Sequence, residues 1–223
     1  MQKRLADGQA VTLRLGSYKT LRLTVRPDGS VLISAPQRVG VRAALAFVNE
    51  RLGWITARQA EMAARAALRP QLLPGETAPL WGSGYAIALE PGRCGARLEG
   101  GRMVLSVPEG ADFAARRAAL LTLYRAELGR AIPPLIKKYA AALGVEPPAW
   151  QLRDMRTRHG SCTPARGTVR FALSLAARPA ACLEYVVAHE LAHLRVPGHG
   201  ADFHALLRSV YPDEVAAIRL LKA

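Results

Sequence analysis

Apolar and polar residues alternate through KTLRLTVRPDGSVLISAP, residues 19–36, on both sides of Pro27-Asp28-Gly29. Alternation with period two around a turn-forming triplet predicts a β-hairpin. Leu21, Leu23 and Val25 share one face with Val31 and Ile33 of the return strand. The period then changes. In residues 42–68 Leu45, Val48, Leu52 and Ile55 recur every three to four positions, which predicts a helix that Gly53 breaks or bends. RPQLLPGETAPL, rich in proline, reads as a connector and as the boundary between two parts of the chain.

Beyond the connector, residues 84–110 read as three short strands with glycine-rich turns. Residues 111–143 return to a helical period, with an interruption expected at Pro133-Pro134. Pro147-Pro148 closes that segment. WQLRDMRTRHGSC, residues 150–162, and GTVRFALSL, residues 167–175, read as a pair of strands. A helix follows from about Pro179 to Leu194, since proline suits the first helical turn, and Pro197-Gly198 stops it. GADFHALLRSV and DEVAAIRLLKA supply two further short helices.

Half of the 223 residues are hydrophobic and 22% are charged, which fits a globular chain with a sizeable core and excludes a disordered one. No apolar run in the opening MQKRLADGQAVTLRLG is long enough for a secretory signal, and no stretch approaches ~20 apolar residues. A cytoplasmic protein with no membrane partner is therefore expected. Cys94, Cys162 and Cys182 form no CxxC pair, so neither a disulfide framework nor a thiolate zinc cluster is expected; three small buried residues in a reducing compartment are. The net charge of +14 points to polyanionic partners, a nucleotide or nucleic acid held by a basic surface. Residues 1–70 hold twelve Lys/Arg against four Asp/Glu, so the surplus is greatest at that end. Arginine and alanine bias from a GC-rich genome is the competing origin of this charge.

The candidate chemistry lies in AHELAHLRVPGHG, residues 188–200. On a helix of 3.6 residues per turn, His189 and His193 differ by ~40° in azimuth, so both rings project from one face and can share one cation. Glu190 lies one residue further round, within reach of a water beside that cation, which is the logic of HExxH. A catalytic zinc needs a third protein ligand after a turn that brings the chain back. His199 follows directly on Val196-Pro197-Gly198, with Asp202 and Glu214 as carboxylate alternatives; Asp202 otherwise suits a helix cap or a partner of a ligand. Gly160 is expected to serve a tight turn, and Cys162 to pack rather than to ligate.

Three blocks, RTRHGSC, GTVRFALSL and EYVVAHELAHLRVPGHGADFHALLRSVYPD, resemble the YgjP-like family of small zinc metallopeptidases, which is related to the SprT-like proteins. The opening hairpin and FVNERLGWI are similar to that family as well. The resemblance implies zinc on His189, His193 and His199 with Glu190 as catalytic base. The chain departs from the family pattern at His159, where tryptophan is usual, near Ala172, where asparagine is usual, and at His204, after Phe203, where tryptophan is usual. The metzincins share the 189/193/199 spacing, but they need glycine where this chain has Val196, and a methionine turn downstream of every methionine present here.

The expected fold is α+β. Residues 1–78 would form a small N-terminal β/α region, packed on a mainly helical zincin-like catalytic domain, residues 79–223, with a short hairpin or small sheet beside the HExxH helix. The expected activity is metal-dependent hydrolysis of a peptide or protein by zinc, with Ni, Co, Mn and Fe open to three imidazoles as well. Arg158, His159 and His204 are candidates to hold the substrate or its oxyanion. A second class is open: Arg153, Arg156 and Arg158 would alternate along one strand face and clamp phosphates, as in a phosphohydrolase acting on nucleoside triphosphates. A nucleic-acid-associated protease is the third.

Overall fold

A computed structural model describes residues 1–26, 28–67 and 70–222. The class is α+β, as the two periods require, and the chain divides into two compact units, Met1–Arg69 and Pro70–Ala223. The division falls inside the proline-rich connector, earlier than the 78/79 boundary expected from composition. The reason is that Thr77–Leu80, within that connector, pairs with the strand Ser83–Pro91. Among the described residues no helix is long and apolar enough to cross a membrane.

In the first unit β1 (Gln2–Arg4), β2 (Ala10–Gly16), β3 (Arg22–Val25) and β4 (Val31–Pro36) form one sheet in the order β1-β2-β4-β3. The hairpin β3–β4 has the expected register, Leu23 opposite Ile33 and Val25 opposite Val31. Pro27 of its turn lies outside the described residues. Gly29 takes φ +80°, a left-handed conformation that glycine adopts without strain, and the Asp28 carboxylate accepts the Ser30 N–H at 2.9 Å. β2 runs parallel to β4, a long-range pairing with no local signature. Helices α1 (Gly40–Asn49) and α2 (Leu52–Ala67) supply Ala44, Val48 and Ile55 to a core with Val11, Leu13, Val31 and Ile33. The helix expected over 42–68 is thus two. The break lies at Glu50-Arg51 and not at Gly53, which stays inside α2; Leu68, its expected end, lies outside the described residues.

The second unit begins with β5 (Thr77–Leu80), β6 (Ser83–Pro91), β7 (Gly95–Glu99) and β8 (Arg102–Val107), in the order β5-β6-β8-β7. α3 (Phe113–Leu143) follows, with the Asp112 carboxylate capping its start by accepting the Ala115 N–H at 2.8 Å and Gly144 at φ +64° ending it. Pro133-Pro134 do not interrupt α3. Both are exposed, while Leu128, Ile132, Ile136 and Tyr139 are buried around them. Burial of that apolar stripe outweighs the ~3 kcal/mol that an interior proline costs.

β9 (Ala149–Arg153), β10 (Gly160–Thr163) and β11 (Thr168–Ala172) make a small sheet, ordered β10-β11-β9. The single strand expected over 150–162 is therefore two strands joined by a loop. β9 runs parallel to β11, and β10 runs antiparallel on its other side. Arg153 ends β9 while Arg156 and Arg158 lie in the loop, so the three do not share a strand face. α4 (Ala180–Ala192), α5 (Ala201–Val210) and α6 (Glu214–Lys222) complete the chain. α4 is apolar nearly all round, with Leu183, Val186, Val187, Ala188, Leu191 and Ala192 buried, as befits a helix inside the core. Cys182 is buried, Cys162 half-buried and Cys94 exposed, so the expectation of three buried cysteines fails at Cys94, in the turn between β6 and β7.

Candidate metal centre

The last turn of α4 carries His189 and Glu190, and His193 follows as the residue that closes the helix, still in helical conformation at φ −65°, ψ −17°. The chain then turns through Val196-Pro197-Gly198. Gly198 takes φ +86°, which a residue with a side chain rarely adopts, and this reversal returns His199 to the helix end. One ligating atom from each of His189, His193 and His199 lies within 4.8 Å of the others. The Nε2 atom of His199 stands 3.2 Å from Nε2 of both His189 and His193.

Two of the rings are held from behind. His193 donates from Nδ1 to the Val196 carbonyl at 3.3 Å, which leaves the Nε2 lone pair free. The Tyr185 hydroxyl, one helical turn before His189, stands 3.3 Å from its Nδ1. Phe203 of α5, fully buried, stacks on His193 with centroids 4.4 Å apart and meets His189 and His199 at 4.9 and 5.0 Å. Burial lowers the pKa of His189 to about 4, with the neighbouring histidines adding to the effect, and burial lowers His193 too. Both rings are neutral at pH 7, the form that ligates. A single proton on His199 Nε2 could serve only one of the two facing lone pairs. One cation at ~2.0–2.1 Å from each nitrogen, with tetrahedral angles placing the nitrogens about 3.3 Å apart, satisfies all three. The donor set therefore fits a divalent metal.

The carboxylate alternatives stand elsewhere. Asp202 is exposed on the first turn of α5, whose cap is Gly200, so Asp202 neither caps that helix nor joins the cluster. Glu214, buried at the start of α6, accepts from Nδ1 of His204 at 2.9 Å.

Glu190 is 7% exposed. Burial pushes its carboxyl up to about 7, against the opposing pull of the Cys162 backbone N–H and the Arg158 charge. Gly160 on β10 makes that position available. A Cβ on Gly160 would lie 2.5 Å from Glu190 Oε1 and 2.9 Å from its Cδ. Gly160 does not have a positive φ, so its contribution is the missing side chain and not the tight turn expected of it. The Cys162 thiol, pushed up to about 11 by burial, remains protonated at neutral pH and stands outside the histidine cluster.

A cavity of about 430 Å³ opens onto these groups, lined by Arg158, Gly160, Ser161, Cys162, Pro164, His189, Glu190, His193, Pro197, Gly198 and His199. Arg158 thus joins the cavity, whereas His159 and His204 are not part of its lining. The Nδ1 atom of His159 is buried with no hydrogen-bond partner, and burial lowers its pKa. His204 is turned to Glu214. Ala172, another departure from the family pattern, is fully buried in β11. The loop bearing Arg156 and Arg158 is tied to α3 by a two-pronged ion pair, Arg117 to Asp154 at 2.8 Å on both oxygens. Sequence reasoning gave no role to Tyr185, which helical spacing from His189 made visible, or to Phe203, which stands on α5 while His189 and His193 stand at the end of α4. It also missed Arg117, for which no local signal exists.

A protein-family model described as YgjP-like, metallopeptidase domain, matches residues 19–223. No curated protein matches the chain. Solved structures that match include the metallopeptidase zymogen abylysin of Pyrococcus abyssi, at 20% identity and a TM-score of 0.36, with 40% of this chain and 87% of that chain covered. At that score the likeness says nothing further of this chain.

Proposed function

The chain belongs to the YgjP-like metallopeptidase family and is a hydrolytic enzyme, and we propose that it is a zinc peptidase in which His189, His193 and His199 hold the cation and Glu190 is the general base. The observation that carries this reading is the convergence of three imidazoles and one buried carboxyl on a single open cavity. When bound, the cation supplies Lewis acidity toward oxygen. Glu190 accepts a proton from the attacking water on a carboxylate oxygen and delivers it to the leaving amine. A carboxyl held at about 7 exchanges protons readily at neutral pH. Val196 and Tyr185 fix the rings of His193 and His189, as groups behind metal ligands do. Arg158 offers its guanidinium to the substrate carbonyl or to an acidic group beside it.

Glu190→Gln should retain zinc and lose peptide hydrolysis by about 10²–10⁴-fold, whereas His199→Ala should lose zinc as well. Metal content measured beside peptide turnover checks both. A zinc-loaded Glu190→Gln variant with undiminished cleavage would overturn the assignment of the base. Ni, Co, Mn and Fe compete for the same three imidazoles, and elemental analysis of protein purified without added metal distinguishes them.

The presence of Arg158 in the cavity favours one second reading, hydrolysis of a nucleoside triphosphate whose phosphates the guanidinium would grip. Phosphate or pyrophosphate release that disappears in Glu190→Gln would establish it, and silence across a nucleotide panel would remove it. The free cysteines among the described residues suit a cytoplasmic setting.

A further inference from the structure

The sheet of the first unit buries one face and leaves the other in solvent. Odd-numbered Val11, Leu13, Val25, Val31 and Ile33 are in the core. The even positions stand on the open face, and strand register places them in rows. Arg14 on β2, Ser34 on β4 and Arg22 on β3 lie directly across from one another. Thr12, Leu32 and Thr24 form the next row. With strands ~4.8 Å apart, Arg14 and Arg22 are separated at the backbone by about 10 Å. Arg4 on β1 stands two rows away, opposite Ala10, with its guanidinium donating to the Gly8 carbonyl at 2.8 Å, and Arg26 continues the even positions just past β3.

No acidic residue occupies an even position of these four strands. Asp7 and Asp28 are in turns, where their carboxylates accept the N–H groups of Gln9 and Ser30. Arg14 and Arg22 are exposed and carry no ion pair among the described residues. Two exposed guanidiniums carried about 10 Å apart at the backbone repel each other only weakly in water, and their summed field attracts a polyanion. The same face offers an aromatic ring. Gly16 is the next even position after Arg14, and a Cβ there would lie 3.4 Å from Cε2 of Tyr18. The Tyr18 ring, 41% exposed, therefore lies over Gly16 beside the arginines.

We propose that this open face binds single-stranded nucleic acid, with phosphates on Arg14, Arg22 and their neighbours and a base stacked on Tyr18. Hydroxyl and short polar groups between the arginines (Thr12, Thr24, Ser34) suit sugar and phosphate contacts without selecting a sequence. A stacking ring beside a basic track is the arrangement that favours an unpaired strand over a duplex, whose bases are hidden from it. The site is independent of the peptidase reading.

The test is fluorescence anisotropy with the full chain and labelled oligo(dT) or oligo(U) of at least ~16 nucleotides, titrated between about 50 and about 200 mM salt. Both strands should bind, since phosphodiester and base are common to them. Arg14→Ser with Arg22→Ser should weaken binding at least ~10-fold and lower the salt slope by ~0.7 for each phosphate contact removed. Tyr18→Ala should weaken it about 10-fold with the salt slope unchanged. Arg38→Ser with Arg42→Ser, which removes the same charge from exposed positions outside the sheet, should change little. Peptide turnover and the circular dichroism spectrum should be unchanged throughout. The proposal is overturned by equal losses in the two double variants, by tighter binding of duplex DNA than of either single strand, by equally effective displacement with polyglutamate, or by no binding at the lowest salt.

Discussion

Gly160 and Glu190 together define the smallest unit of this site. The carboxyl is buried because β10 presents hydrogen where any other residue would present carbon. Gly160→Ala should displace Glu190 from the cavity, since the intruding Cβ meets the carboxyl itself. An ångström of misplacement costs about 10²-fold in rate, while overpacking costs about 1–3 kcal/mol of stability. The expected result is a folded variant with full metal content and kcat reduced about 100-fold. Unchanged kcat would mean that Glu190 has room the structure does not give it. That His189 and His193 share a helix face was legible in AHELAHLRVPGHG because helical spacing fixes azimuth, and the return of His199 was legible in the Pro197-Gly198 break. Gly160 was legible only as a glycine, because its neighbour across the cavity is thirty positions away in sequence.

At the scale of elements, the loop between β9 and β10 decides where Arg158 stands, and α3 decides where the loop stands. Both Arg117 and Asp154 are about two-fifths exposed, so their ion pair contributes less than ~1 kcal/mol to stability. Its consequence is positional. Arg117→Ala should leave the melting temperature within a few degrees of wild type and raise KM severalfold with little change in kcat. The Arg117 hydrogen bond holds the Asp154 carboxyl below its ordinary value of 3.8. A lowered carboxyl pKa in the folded state gives an ion pair that is fully present above that value and is lost as pH falls below it. Proteolytic cutting in residues 154–159 should therefore rise below about pH 4 in wild type and already be high at neutral pH in Arg117→Ala. A pH-independent cutting rate in wild type would remove the tie. The same scale explains the strand misreading: residues 150–162 are apolar and polar in a strand-like way, but only the pairing of β9 and β10 with β11 shows where pairing stops.

Over the whole second unit, the histidine cluster joins the end of α4 to the turn before α5, with Phe203 of α5 beneath it. A ligand that binds only the folded state stabilises it by about 2.7 kcal/mol at one hundred times its Kd. Chelation should accordingly lower the melting temperature by about 5–10 °C, and zinc should restore it. His199→Ala should melt near the chelated value and respond to neither chelator nor zinc. Equal melting temperatures with and without metal in wild type would show that the three rings are not a folded-state binding site.

The sequence by itself determined what depends on neighbours a few residues apart: the β3–β4 hairpin, the amphipathic helices, the histidine pair one turn apart and the Pro-Gly break before His199. Tertiary structure alone decided what depends on residues distant in the chain. It set the parallel pairings of β2 with β4 and β9 with β11, the continuity of α3 through Pro133-Pro134, and the pressing of Gly160 onto Glu190. It also separated Arg158, in the cavity, from His159 and His204, outside it. Local periodicity records which side of an element is apolar. Which surface that side meets is settled by packing among all the elements at once, and the carboxyl of Glu190 takes its burial, and so its chemistry, from that packing.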